Sequence, residues 1–304
     1  MISPFTRIAA DRGDPVAQHQ LGCFFERGST GSNHDYLQAH EWYLKSANSG
    51  YPPAQYSMGM LYLSGYGVAP DPEIAATWFL KGAKQGHALS QFELACCCEK
   101  GNGLSPNPEL AVSWYSLAAN QGCASAQYSL GLCLLVGEGV LRDLRMAAGW
   151  LKMAAEQGHA LAQFALGRCY SAGSGVEKDA DRALFWWRQS AESGFAEAQF
   201  QLGQSFYNGS HCNKDYPNAV TWFRRAASLG HASAQYSLGY CYLTGEGVQK
   251  NEAIAYAYFI LSSPSLLSSR EIVKKMERNI PRKLLESGLL MLNELRPSTV
   301  RGTV

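Results

Sequence analysis

The sequence predicts an all-α fold, a solenoid of about seven 36-residue helix-turn-helix repeats. Three observations predict it. Six of the seven tryptophans, Trp42, Trp78, Trp114, Trp150, Trp186 and Trp222, each stand 36 residues after the last. A fixed period of this size marks stacked units that share a continuous core. A short polar residue returns in the same register as Asp35, Asp71, Asn107, Asp143, Asp179, Asp215 and Asn251. Such residues start helices by accepting a free backbone N–H. Two glycine series, Gly50 to Gly230 and Gly65 to Gly245, recur at the same period and stop helices where a left-handed residue is needed.

The chain opens in mid-unit, because FTRIAADRG (5–13) matches only the second helix of a repeat, so 1–13 is a half repeat. Seven units follow, at 14–50, 51–86, 87–122, 123–158, 159–194, 195–230 and 231–266. The second unit is typical. Helix A, AQYSMGMLYLSG, stops at Gly65, and helix B runs from Asp71 to about Lys84. In Asp71-Pro72-Glu73 the proline takes the first helical position and the acid sits in the first turn, both favoured there. Helix A repeats Ala-Gln-aromatic-x-Leu-Gly, as in Ala126 to Gly131. Helix B carries an apolar stripe, Ala75, Trp78, Phe79, Gly82 and Ala83. The tryptophans are expected to point into the joints between hairpins as the spine of the stack. A Trp side chain brings about 150–250 Å² of surface. At about 25 cal/mol per Å² its burial is worth a few kcal/mol per joint.

The seventh unit departs from the pattern, with Tyr258 in the Trp slot and Ser262-Ser263-Pro264 near its end. Residues 267–296 are expected to be capping helices: Ser268 with Glu271 reads as a capping box, Pro281 as a break, and Leu285, Leu289 and Leu292 as an apolar face. The tail 297–304 is expected to fray.

Composition narrows the function classes. With 26 basic and 25 acidic residues mixed along the chain and a net charge of +1, there is no basic stripe for nucleic acid. No apolar run approaches the roughly 18 residues a bilayer needs, so membrane insertion is not expected. The start has no apolar leader segment, and a cytoplasmic location is the expectation. Of nine cysteines, Cys97, Cys133, Cys169 and Cys241 share one repeat position and read as small buried fillers. No C-x-x-C pair or zinc spacing occurs, so neither metal nor cofactor is expected.

No set of residues spells a reaction. His87, His159 and His231 follow repeat glycines and lie 72 residues apart, one per separate hairpin, which suits helix starts. The G-x-G segments, such as Gly137-Glu138-Gly139, follow helices rather than strands and lack the Lys-Ser/Thr of a phosphate loop. His211-Cys212-Asn213 breaks the loop pattern of its repeat without an evident reason. No catalytic residue is assigned, and the chain reads as a non-enzyme.

The sequence A-x-A-Q-[YF]-x-L-G-x-x-Y, then G-x-G-V, then A-x-x-W-[YF]-x-x-A-A-x-x-G resembles the Sel-one-like repeat (SLR), a subclass of tetratricopeptide-type solenoids. The resemblance covers about residues 5–263. It implies a right-handed superhelix whose A helices line a concave wall, and an adaptor or scaffold role that holds other proteins. One cysteine-rich branch is linked to β-lactam binding, and its repeats carry paired cysteines, one near the end of helix B and one before the next helix A. Here Cys123 matches the second position, but Ala119 stands at the first.

Carried over by motif, the wall positions are Tyr56, Phe92, Tyr128, Phe164, Phe200 and Tyr236, then Met60, Leu132, Arg168, Gln204 and Tyr240, then Leu63, Glu99, Leu135, Tyr207 and Leu243. So apolar a surface marks an interface, with Arg168, Glu99 and Gln204 to set orientation. The aromatic ladder also has a structural reading, as packing between neighbouring A helices. The expected partner is a peptide or helix of another protein. Two alternatives are an inhibitor or immunity protein for a toxin or enzyme, and a β-lactam-binding or hydrolysing enzyme. The uncapped N-terminal end also offers a surface to a second copy.

Overall fold

The computed structural model describes residues 3–28 and 34–295; the expected frayed tail lies outside them. Among the described residues there are seventeen helices and no strand. The chain divides into two compact units, Met1–Ala154 and Ala155–Val304. The first holds the lone α1 (Pro4–Asp11) and then A helices α2 (Pro15–Arg27), α4 (Pro52–Ser64), α6 (Ala88–Lys100) and α8 (Ala124–Val136). Its B helices are α3 (Tyr36–Asn48), α5 (Pro72–Lys84), α7 (Pro108–Asn120) and most of α9 (Leu144–Glu156). The second holds A helices α10 (Ala160–Ala172), α12 (Ala196–Asn208) and α14 (Ala232–Thr244). Its B helices are α11 (Ala180–Glu192), α13 (Tyr216–Ser228) and α15 (Glu252–Ser262), followed by α16 (Leu267–Asn279) and α17 (Arg282–Leu295). Within each unit, A helices pack on their own B helix and B helices on the next A helix. This is the all-α repeat solenoid the period predicts.

The caps follow from side-chain chemistry. All seven polar residues ahead of the B helices accept the backbone N–H three residues on, at 2.9–3.0 Å. One loop glycine shows why no other residue fits there. Gly247 has φ of 72°, and a Cβ on it would run into the backbone carbonyl of Tyr216 at the start of α13. The loop of one repeat thus rests on the first turn of the preceding B helix.

The deepest side chains are not the six periodic tryptophans. Tyr43, Phe79, Tyr115, Leu151, Trp187, Phe223 and Phe259, each one residue after the Trp slot, are at most 2% exposed. Each of the first six follows a tryptophan, whereas Phe259 follows Tyr258. Six of the seven fill the space above a helix-A glycine of their own hairpin (Gly22, Gly59, Gly131, Gly167, Gly203, Gly239). A Cβ on Gly203 would lie 2.5 Å from the Phe223 ring. Trp42, Trp114, Trp150, Trp186 and Trp222 are only half-buried, and Trp78 is the deepest of the series. They do sit at joints, since Trp42 packs on the α1–α2 cluster and Trp78 on the cluster around Ala39 and Tyr43. Three of them carry a cation over the ring: Lys45 over Trp42 at 4.3 Å, Lys81 over Trp78 at 3.8 Å and Arg225 over Trp222 at 4.6 Å. The row expected as the spine is therefore the outer seal of each joint, and its neighbour is the knob that locks each hairpin.

The Ala-Gln signature has a second function. Gln18, Gln55, Gln91, Gln127, Gln163, Gln199 and Gln235 are buried, and each donates through Nε2 at 3.0–3.3 Å to a carbonyl eight residues earlier. That carbonyl belongs to the last turn of the preceding B helix, where the helix leaves acceptors unpaired. Gln85 and Gln121 in turn donate to Oε1 of Gln55 and Gln91, at 2.8 and 2.7 Å. At Gln18, Gln163 and Gln199 the Oε1 atom is buried without a partner. The slot that would supply a donor there is Ser49, Ser193 or Leu229.

The C-terminal helices correct two expectations. Ser268 lies inside α16, whose N-cap is Leu266 with no side-chain cap, so there is no capping box. The helix start is held instead by Arg270, which donates to the carbonyls of Ser263 and Pro264 at 2.6 and 2.8 Å, and by a Ser262–Ser269 hydroxyl pair at 2.7 Å. Pro281 separates α16 from α17 as expected. The packed face of α17 centres on the buried Gly288, whose absent Cβ lets it approach the Ala253 carbonyl, whereas Leu289 faces solvent.

Candidate functional site

The residue after each buried Gln, and those four and seven further on, project from one face of each A helix. The first of these slots is the aromatic ladder. Tyr56 stands 6.1 Å from Phe79 and 5.7 Å from His87, and Phe92 stands 5.8 Å from Tyr115. In the second unit Phe164 meets Phe195 edge-on at 5.3 Å, and Tyr236 meets Phe259 at 5.7 Å. Phe200 lies 5.8 Å from Phe223 and stacks on His231 at 4.7 Å. A ladder ring thus packs on its own hairpin's knob, on the residue opening the next repeat, or on both; Tyr128 is half-buried like the rest. The histidines among those opening residues cap helices: Nδ1 of His87, His159 and His231 accepts the N–H of Ser90, Ala162 and Ala234 at 3.2–3.3 Å.

In the first unit the outer slots mostly turn inward. Met60, Leu63 and Leu135 pack against the core cluster, and Leu132 is half-buried. Glu99, expected to orient a partner, is exposed but accepts a hydrogen bond from Tyr115 Oη at 3.0 Å. The sequence reading missed that α2 and α6 put polar residues in the same slots. Glu26 accepts from Tyr43 Oη at 2.5 Å, Cys96 lies 3.4 Å from Tyr115 Oη, and His19 pairs with Ser57 at 3.2 Å. A rule was available in the sequence. The two tyrosine knobs, Tyr43 and Tyr115, face a Glu in the third slot, while Phe79, Leu151 and Phe259 face Leu63, Leu135 and Leu243.

The second unit differs. Gln204 and Tyr207 of α12 converge with Tyr236 and Tyr240 of α14 on a cleft of about 290 Å³. Asn208 and Ser237 complete its walls and Phe223 is its floor. Tyr207 Oη donates to Glu246 Oε2 at 2.5 Å, and burial first, then this bond, pushes its hydroxyl well above the ordinary tyrosine range. Four predicted positions meet there. Tyr207 and Tyr236 also pack on core clusters, as do Phe200 and Leu243, which do not line the cleft, and Arg168 is exposed on α10. The third slot of α10, Ser171, was also missed, and it explains the odd loop. His211, replacing the second loop glycine, bonds Ser171 Oγ through Nε2 at 2.8 Å and meets Trp187 edge-on at 5.0 Å. Burial, reinforced by Lys178, holds its pKa below the ordinary histidine value.

All nine cysteines are free. Burial pushes the thiols of Cys97 and Cys241 up to about 12 and that of Cys133 up to about 11, which keeps them protonated. Among the described residues no three His, Cys, Asp or Glu side chains are grouped to hold a metal, and no helix is long and apolar enough to cross a membrane.

The Sel1 repeat family model matches seven consecutive segments, 15–51, 52–87, 88–123, 124–159, 160–195, 196–231 and 232–263. The chain belongs to the Sel1 repeat family. Its matched segments start one residue after the divisions suggested by sequence, and the seventh ends at 263. A Sel1 repeat protein from Oxalobacter formigenes is 34% identical, with 75% of this chain and 91% of that chain covered and a TM-score of 0.69. A protective antigen present in uropathogenic Escherichia coli strains, displaying an SLR fold, is 29% identical, with 96% of this chain and 70% of that chain covered and a TM-score of 0.58. No curated protein matches the chain significantly. Sel1 repeats generally mediate protein–protein interaction, so this Sel1 chain carries a protein-interaction fold.

Proposed function

We propose that this Sel1 repeat protein is a non-enzymatic adaptor that holds an extended or helical segment of a partner protein against its A helices. The observation that carries the reading is the α12–α14 cleft, where four side chains from two neighbouring A helices leave a shaped, largely aromatic recess. Aromatic side chains in such recesses are the usual anchors of protein interfaces. In the first unit, half-buried Leu132 of α8 and the part of Leu135 left exposed by its packing on the core offer an apolar patch of the kind that seats a helix or extended segment.

Leu132→Asp combined with Leu135→Asp tests the reading against a copurifying partner of defined stoichiometry. The expected result is loss of association with helicity unchanged by circular dichroism. Unchanged association with the fold intact would overturn it. One tight, stoichiometric partner with enzymatic or toxic activity would narrow the role to that of an inhibitor.

A further inference from the structure

The α12–α14 cleft has a sign as well as a shape. Phe223 lies at the bottom, and Tyr207, Tyr236 and Tyr240 stand around it. An aromatic face carries partial negative charge and attracts a cation placed over it. A carboxylate that is not itself part of the lining is fastened to one of these rings, at the hydroxyl of Tyr207. Glu246, in the loop after α14, accepts from Tyr207 Oη at 2.5 Å and from Thr244 Oγ1 at 3.2 Å. Both bonds fall on Oε2, and an ionised carboxylate has roughly four lone-pair sites over its two oxygens. Oε1 carries neither of these bonds and keeps its own acceptor capacity. Gln204 adds a neutral side chain that can accept one more N–H. At about 290 Å³ the space sits at the low end for a drug-sized ligand and suits one long side chain. An anion would meet the ring faces and Glu246 unfavourably. An apolar side chain would leave Glu246 without a new partner.

We infer that the cleft is a specificity pocket for an arginine side chain of the partner segment, its guanidinium stacked on the tyrosines and bonded to Glu246. The inference rests on the adaptor role proposed above. Arginine fits better than lysine because its planar head stacks on rings and presents donors in a fork that matches a carboxylate. Tyr240, at 43% exposure, stands at the mouth where an entering side chain passes.

The test is an NMR titration of the full chain with N-acetylarginine amide, its neutral isostere N-acetylcitrulline amide, N-acetyllysine amide and free L-arginine. The arginine amide should shift the backbone resonances of Tyr207, Tyr240 and Glu246, with the citrulline compound about tenfold weaker. Glu246→Gln, which retains an acceptor for Tyr207, should weaken arginine amide binding about tenfold and leave citrulline binding unchanged. Tyr240→Ala should weaken the charged probe while leaving the buried core and the circular dichroism spectrum intact. Equal binding of arginine and citrulline compounds, stronger binding of the lysine compound, stronger binding of free arginine than of the amide, or no shift at the cleft would each overturn the inference. Those results leave the adaptor reading standing if the Leu132/Leu135 variant still loses its partner. If that variant keeps its partner while arginine amide binds the cleft, the adaptor reading fails alone.

Discussion

The same slots of helix A serve different ends in the two units. In α4 and α8, Met60, Leu63 and Leu135 lean into the core, and in α6 Glu99 pairs with the knob of its own hairpin, Tyr115. In α12 and α14, Gln204, Tyr207 and Tyr240 surround a cleft, and the carboxylate bonded to Tyr207 comes from the loop of the next repeat. The backbone period decides where a side chain stands. The pairing chosen at that place decides whether it only fills the fold or also lines a cleft.

That comparison can be broken first at the knobs, which both units share. Phe223→Ala removes the cleft floor and a knob that is 2% exposed, and should cost about 3–5 kcal/mol. Hydrogen exchange should show protection lost across α12–α14, and Phe79→Ala should do the same across α4–α6. A cost below about 1 kcal/mol at either site would contradict the knob assignment. A smaller effect probes the pairing rule. Tyr115→Phe should cost about 1 kcal/mol because Glu99 loses its donor. Adding Glu99→Leu recreates the Phe79–Leu63 combination and should recover most of that loss. Strict additivity of the two substitutions would contradict the rule.

A gain of similar or lesser size is expected where the glutamine clamp is incomplete. Ser193→Gln offers a donor to the partnerless Oε1 of Gln163, as Gln85 does for Gln55, and should add about 0.5–1.5 kcal/mol. The same change at Leu229 should help Gln199, and no gain at either position would argue against the clamp. The least localised effect is acid sensitivity. Burial above all holds His19, His40, His87, His159 and His211 below the ordinary value of 6.5. The unfolded chain then binds protons that the folded one resists, so stability should be lost as pH falls below about 6.5. A melting temperature that holds or rises from about pH 7 to 5 would contradict this.

Much of the fold was legible because it is written in backbone punctuation. Asp71 and its equivalents, the two glycine series and the 36-residue period allow little else. Depth was less legible. Tryptophan fills its slot in six of seven repeats, yet the deeper position is the variable one next to it, since Tyr43, Leu151 and Trp187 are matched to partners within their own hairpins. The Gln after each Ala was visible as a signature, but a buried amide reaching back to a helix-end carbonyl follows only once two helices are placed. Ser268 failed as a cap because Arg270 and the Ser262–Ser269 pair had already fixed the helix start elsewhere. At the site, the sequence offered sixteen wall positions, and only the structure separated the four that meet at a cleft from the rest, some packed inward and others, such as Glu99 and Arg168, exposed.

The central claim, that the A-helix face is the working surface and the tryptophan face is not, is tested most directly by site-specific photo-crosslinking to the copurified partner. A crosslinking residue in place of Leu132 or Tyr240 on the A helices should capture the partner, and one in place of exposed Leu117 or Phe185 on the B helices should not. Capture through Leu117 or Phe185 with none through Leu132 or Tyr240 would contradict the account.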